Sequence, residues 1–152
     1  MIEIRRLQPK DLEYLYNNAE TLSFDKTCML DKLEHMMLIS IGNIICGIGC
    51  SMLFENKCLI NWVYIANDYR RDCMGTALVK AILNSAELNG AKTAYMSGSC
   101  EQFASNLKFN RVEENDEFQK IEKLYNNFFG ERFEHNFYKV GLVDYFKPCS
   151  CK

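Results

Sequence analysis

The residues best suited to chemistry lie in one stretch, VYIANDYRRDCMGTALV, residues 63–79. An apolar strand signal ends near Ile65, a short polar loop follows, and helical spacing starts at or near Gly75. Loop amides and the first amides of a helix have no helical acceptors, and the helix dipole adds partial positive charge there. That arrangement holds a phosphate or pyrophosphate. Arg70 and Arg71 add charge, and Gly75 lets a ligand approach the backbone closely. The nucleoside-triphosphate loop GxxxxGK[ST] is absent. So is the dinucleotide fingerprint GxGxxG; Gly47-Ile48-Gly49 supplies only its first half, inside a strand.

At these residues the sequence resembles the GNAT superfamily of N-acetyltransferases. That family carries Arg/Gln-x-x-Gly-x-Gly/Ala after a strand and opening the next helix. Here the stretch reads Arg70-Arg71-Asp72-Cys73-Met74-Gly75, after a strand ending in Val63-Tyr64-Ile65. The order of elements over residues 2–114 looks like the family's, and FASNLKF (103–109) is similar to its later segment FYEKLGF. The resemblance implies acetyl-CoA as co-substrate, no metal, and direct transfer of the acetyl group to the amine of a small molecule or peptide. It implies a coenzyme site made of Val63, Ile65, Arg70, Arg71, Asp72, Cys73, Met74, Gly75 and Thr76. Amides of residues 71–76 would take the pyrophosphate. The backbone of Ile65 would pair with the pantetheine arm like an added strand. The Val63 amide would polarise the thioester carbonyl. A splayed gap between strands 58–66 and 91–97 would admit the arm.

Three positions depart from the family pattern. Cys73 stands where the loop's first glycine is usual. Asn61 occupies the strand position of a common glutamate base and cannot act as one. Ala104 aligns with the tyrosine that often protonates the leaving thiolate. Cys100 and Glu101, one turn back on the same helix, and Tyr95, on the preceding strand, are alternatives for that proton; each has an equally ordinary reading as core or wet surface. The catalytic residues therefore stay unassigned. Acid–base assistance is worth about 10²–10⁴-fold, so its loss slows an enzyme without abolishing it. A second reading keeps the fold and the coenzyme site but makes the chain an acyl-CoA sensor or interaction protein. A third loses the coenzyme altogether.

The elements that must position this loop are legible from periodicity. Residues 2–7 alternate as a strand, and Pro9 suits the first turn of a helix carrying Leu12, Leu15 and Tyr16. Residues 19–35 include a second short helix, and their acids Glu20, Asp25, Asp31 and Glu34 would suit a cationic acceptor or simply a wet face. Strands at 36–41, 44–54 and 58–66 are joined by Gly42-Asn43 and Glu55-Asn56-Lys57. A helix over 75–89, closed by Gly90, and a strand over 91–97 complete a right-handed βαβ unit. A short helix near 100–107, strands at 109–114 and 134–142, and a helix with Phe118, Ile121, Leu124, Tyr125 and Phe128 on one face finish the chain. The expectation is one GNAT-like α/β domain over residues 1–152, with a mixed sheet: antiparallel N-terminal strands, a central βαβ with parallel, splayed strands, and helices on both faces. Trp62 reads as core. Phe128-Phe129 beside Gly130 reads as a homodimer contact, a substrate-site wall or plain core.

Bulk properties narrow the class. With 152 residues, 48% of them hydrophobic, and a formal charge of −2, the chain suits one globular domain. Nothing in its charge favours nucleic acid or an anionic membrane. Its N-terminus lacks the apolar core of a secretory signal, and no apolar run nears the roughly 20 residues of a membrane span. A cytoplasmic protein is expected. The 8 cysteines include no CxxC pair, and only His35 and His135 are available beside them, so buried free thiols are favoured over disulfides or zinc.

Overall fold

The computed structural model describes residues 1–17, 36–70, 72–98, 100–129 and 136–146. Seven strands form one sheet in the order β1-β2-β3-β4-β5-β7-β6. They are β1 (Ile2–Arg6), β2 (Met36–Ile41), β3 (Ile44–Phe54), β4 (Lys57–Ile65), β5 (Thr93–Ser97), β6 (Asn110–Arg111) and β7 (Phe137–Gly141). The helices are α1 (Leu12–Asn17), α2 (Met74–Leu88), α3 (Glu101–Asn106) and α4 (Asp116–Phe129). Short 3-10 turns lie at Pro9–Asp11 and Asn67–Tyr69. The expected helix within 19–35 lies outside the described residues.

The chain divides into two compact units. The first comprises Met1–Cys50 and Val63–Val79. Here β1 and β2 pair antiparallel with Ile4 opposite Ile39, and β2 pairs antiparallel with β3. Leu38, Ile39, Cys46 and Ile48 are fully buried, as is Leu15 of α1. Gly42 makes the β2–β3 turn at φ 59°, a left-handed conformation that glycine adopts without strain. The chain leaves β1 through an ion pair. Arg5 donates through both Nη atoms to Asp11, at 2.9 and 3.0 Å, while the Gln8 amide donates to the same carboxylate at 2.8 Å. Arg5's hydrogen bonds hold the nearly buried Asp11 carboxyl below its ordinary pKa, against the opposing effect of burial.

A second feature of this unit concerns β3. A Cβ on Gly47 would stand 2.5 Å from Ile65 Cδ1 and 2.6 Å from Tyr64 O. The end of β4 therefore lies in space that any other residue would fill. One residue on, the Ala66 amide donates to Cys46 O at 2.8 Å.

The second unit comprises Ser51–Trp62 and Lys80–Lys152. β4 and β5 pair in parallel from Lys57↔Thr93 to Ile60↔Met96, and β7 lies antiparallel between β5 and β6. Leu59, Tyr95, Val112, Phe137 and, from α4, Ile121 and Tyr125 form its core cluster. Asn115 caps α4, its side-chain oxygen accepting from the amides of Glu117 and Phe118 at 2.9 and 3.3 Å. The helix α2, which runs through both units, buries Leu78, Val79, Ile82, Leu83 and Ala86. It ends in a Schellman motif: Ala91 N donates to Ala86 O, Gly90 N donates to Glu87 O, and Gly90 has φ 95°.

Several expectations are corrected. The strand placed at 109–114 shrinks to Asn110–Arg111; one residue on, the Val112 amide still donates to Phe137 O at 2.8 Å and its side chain lies in the core. The buried stripe of α2 includes Val79 and Leu83, whereas Leu88, near the end of the same helix, is 78% exposed. Trp62 is half-buried rather than core. Phe128 stacks on Phe54 at 5.5 Å and Phe129 on Tyr125 at 5.6 Å, which is the core-packing alternative for that pair.

Two outcomes follow. Gly47→Ala should destabilise the protein by about 1–3 kcal/mol, the usual cost of overpacking against backbone, read as a lower denaturant midpoint. Asp11→Ala should cost about 2 kcal/mol at neutral pH. Because the folded-state pKa of Asp11 is depressed, its contribution is present above the unfolded value and is lost as pH falls through the folded one. The difference from wild type should therefore narrow below about pH 4.

Candidate functional site

β4 delivers the chain to the candidate loop. After Ile65 the 3-10 turn Asn67–Tyr69 closes with Tyr69 N donating to Ala66 O at 2.9 Å, and Arg70 N reaches Asn67 O at 3.3 Å. Arg70 then folds back. Its Nε donates to Ile65 O at 2.8 Å, and its guanidinium lies 5.9 Å from the centroid of the Tyr64 ring. The arginine read as phosphate-facing charge is thus also a brace on the strand end, using one of its five donors. Arg71 lies outside the described residues.

Asp72 and Cys73 form a turn, and α2 begins at Met74. Cys73 has φ 60°. A left-handed conformation is natural for glycine and costs other residues roughly 1–2 kcal/mol. The loop backbone at Cys73 therefore has a conformation that glycine would adopt without strain. The Cys73 carbonyl accepts the first intrahelical bond, from Ala77 N at 3.0 Å. By helix geometry the amides of Met74, Gly75 and Thr76 come before that bond and have no acceptor within the helix. Cys73 is exposed, Met74 is buried, and Gly75 and Thr76 are half-buried. The segment from Val63 to Thr76 lies wholly within the first unit. What it can do chemically is hold an anion on backbone donors.

The candidates for proton transfer lie in the second unit. Tyr95 is committed elsewhere. Its hydroxyl donates to Glu117 Oε2 at 2.9 Å, and Lys139 Nζ donates to both oxygens of the same carboxylate, at 2.8 and 3.0 Å. Burial, then the Glu117 hydrogen bond, push the Tyr95 phenol well above its ordinary pKa, while Lys139 holds Glu117 below its own. Cys100 is the exposed residue before α3, and Glu101 in its first turn is exposed too. Ala104 is fully buried and offers no proton. Asn61 is buried, and its backbone oxygen accepts from Ser97 Oγ at 2.8 Å.

Sequence reasoning missed Gly47, the Arg70 brace, Glu117, Ser97 and the polar use of Tyr125. Only Gly47 carried a signal, as a glycine inside an apolar strand, where a backbone often approaches closely. Among the described residues Cys46, Cys50 and Cys58 are buried, and burial pushes the Cys58 thiol up to about 12. Cys28, Cys149 and Cys151 lie outside them, as do His35, His135 and the acids at 20–34. No metal-binding group and no helix long and apolar enough to cross a membrane occur among the described residues.

Cys73→Gly should relieve the left-handed strain. Part of that gain is offset by the extra freedom of an unfolded glycine, leaving a net stabilisation of up to about 1 kcal/mol. Cys73→Ala, which retains a Cβ, should leave stability unchanged; equal midpoints for all three proteins would remove the strain argument.

By sequence the chain matches no family model and no curated protein. Solved structures match it by fold. An acetyltransferase of the GNAT family from Staphylococcus aureus Mu50 aligns with a TM-score of 0.72 at 18% identity, over 93% of this chain and 99% of that one. Rv2747 from Mycobacterium tuberculosis, in complex with CoA and NLQ, aligns with a TM-score of 0.74 at 12% identity, over 91% of this chain and 98% of its own. The N-acetylglutamate synthase of Neisseria gonorrhoeae, complexed with coenzyme A and N-acetyl-glutamate, aligns at 0.72 and 12% identity over 93% of this chain. This chain spans only 35% of that protein's length. The mixed sheet and its helices are the GNAT N-acetyltransferase fold.

Proposed function

We propose that this chain of GNAT fold binds acetyl-CoA on Val63, Ile65, Arg70, Arg71, Asp72, Cys73, Met74, Gly75 and Thr76, and passes the acetyl group directly to an amine. The observation that carries the reading is the loop ahead of α2, left-handed at Cys73 as a glycine would be, with three helix amides beyond it. The CoA complexes of the matched structures support it. The acceptor in this reading is an amine of a small molecule or peptide. The N-acetyl-glutamate bound by the Neisseria synthase supports one of amino-acid size.

The chain's own groups would act by holding and aligning. Backbone donors of the loop and of α2 take the pyrophosphate, and the end of β4 pairs with the pantetheine arm. Ile65 O already accepts from Arg70, and its second lone pair remains for an amide of the arm. Alignment of a bound thioester with an amine supplies up to roughly 7–11 kcal/mol of the barrier. The nucleophile is the neutral amine. Its lone pair attacks the thioester carbon, the C–S bond breaks, and the amine's proton leaves to water or a side chain while thiolate departs.

A second reading has its own observation. Tyr95 is engaged with Glu117, and Ala104 offers no acid, so neither of these two positions supplies a ready proton for the thiolate. That pattern suits a catalytically degenerate acyl-CoA sensor or interaction protein. Turnover separates the two: an enzyme acetylates at least one member of a panel of amino acids, polyamines and peptide N-termini, and a sensor binds the coenzyme and acetylates none.

Acetyl-CoA at about 100 times its dissociation constant should stabilise the fold by roughly 2.7 kcal/mol in thermal unfolding. Free coenzyme A should act similarly and ATP should not. No shift with millimolar acetyl-CoA would overturn both coenzyme readings.

A further inference from the structure

The parallel ladder between β4 and β5 is short. Its last pair is Ile60↔Met96, although β4 runs on to Ile65. Two side-chain hydroxyls stand where it stops. Tyr125 Oη, from α4, donates to Ile60 O at 2.7 Å and lies 3.0 Å from Tyr95 O, one proton shared between carbonyls of adjacent strands. Ser97 Oγ donates to Asn61 O at 2.8 Å. Two hydroxyls thus donate to successive carbonyls of β4 at the end of the ladder.

The clasp is rigid. Tyr125 is fully buried, and its ring packs on Phe137 at 4.9 Å and Phe129 at 5.6 Å. Ser97 is also buried. The helix that supplies Tyr125 lies in sequence between β6 and β7, so an element remote from the coenzyme loop reaches the strand that leads to it. An apolar side chain at 125 would pack the same core; the hydroxyl is the part that core packing does not require.

We propose that Tyr125, assisted by Ser97, is a positioning residue that fixes where β4 parts from β5 and so holds the last residues of β4 ready for the extended arm of the coenzyme. The proposal rests on the coenzyme reading above. Tyr125 does not touch the ligand; it acts through the β4 backbone.

The test is Tyr125→Phe, which keeps the ring and removes the hydroxyl. Titration calorimetry with acetyl-CoA and with adenosine 3′,5′-bisphosphate, the nucleotide end alone, separates the arm from the phosphate site. Acetyl-CoA affinity should fall about threefold to tenfold, the worth of one hydrogen bond, with the nucleotide affinity unchanged. Equal losses for both ligands, or no loss for either, would overturn the proposal. In the ligand-free protein, amide hydrogen exchange over residues 61–65 should rise about tenfold in the variant while β1 and β2 exchange as before. That readout needs no ligand, so it can fail while the coenzyme reading stands, or succeed while that reading fails. Ser97→Ala should raise exchange over the same residues, and it replaces Tyr125→Phe if that variant does not fold.

Discussion

The absence of a side chain at Gly47 decides where the end of β4 can lie. Tyr64 O and the Ile65 side chain occupy the space of the missing Cβ, and the Cys46 carbonyl takes the next amide. From that seat the chain has few options. It makes one 3-10 turn, sends Arg70 back to Ile65 O, passes through a left-handed residue, and starts a 15-residue helix. The position of the first helix amides is thus set by van der Waals contact with β3, several residues upstream. Backbone donors aimed in this way would need no reorganisation to meet an anion.

What the sequence makes legible is whatever depends on period and punctuation. Strands β1 to β4, the helix after the loop and its Gly90 stop all follow from alternation, helical spacing and turn residues, and the structure has them within a residue or two. Local rules failed where a distant partner decided the outcome. β6 has only two residues, and its pairing is with β7, whose Lys139 and Tyr138 lie more than 25 residues on. Tyr95 could be placed on its strand, but its partner Glu117, and the Lys139 that holds Glu117, come from a helix and a strand far along the chain. Side-chain chemistry of this kind is long-range information, and one sequence without its fold does not contain it in readable form. Cys73 is the reverse case. The residue type hides the backbone conformation, and the sequence marked the position only as one where the resembling pattern has glycine.

The charge distribution of the second unit bears on catalysis. A carboxylate that accepts from both a phenol and an ammonium is satisfied and ionised, and the phenol it holds is a poor proton source at neutral pH. The cluster therefore joins α4 to β5 and β7 through charge-assisted hydrogen bonds. Acetyl transfer by the proposed route would lean on alignment of the thioester with the amine more than on this phenol.

The strand order also has a consequence for synthesis. β7 lies between β5 and β6, and Phe137 belongs to the core that α4 packs against. On a ribosome adding about 5–20 residues per second, β5, α3, β6 and α4 all emerge before the strand that joins them. Until residue 141 is clear of the exit tunnel, β5 has an open edge and α4 an uncovered apolar face. The β1–β2–β3 meander, by contrast, can close on itself much earlier, since its pairings reach only as far as Cys50. A nascent chain of this fold would carry its aggregation hazard late, in its second half, for the seconds before β7 inserts.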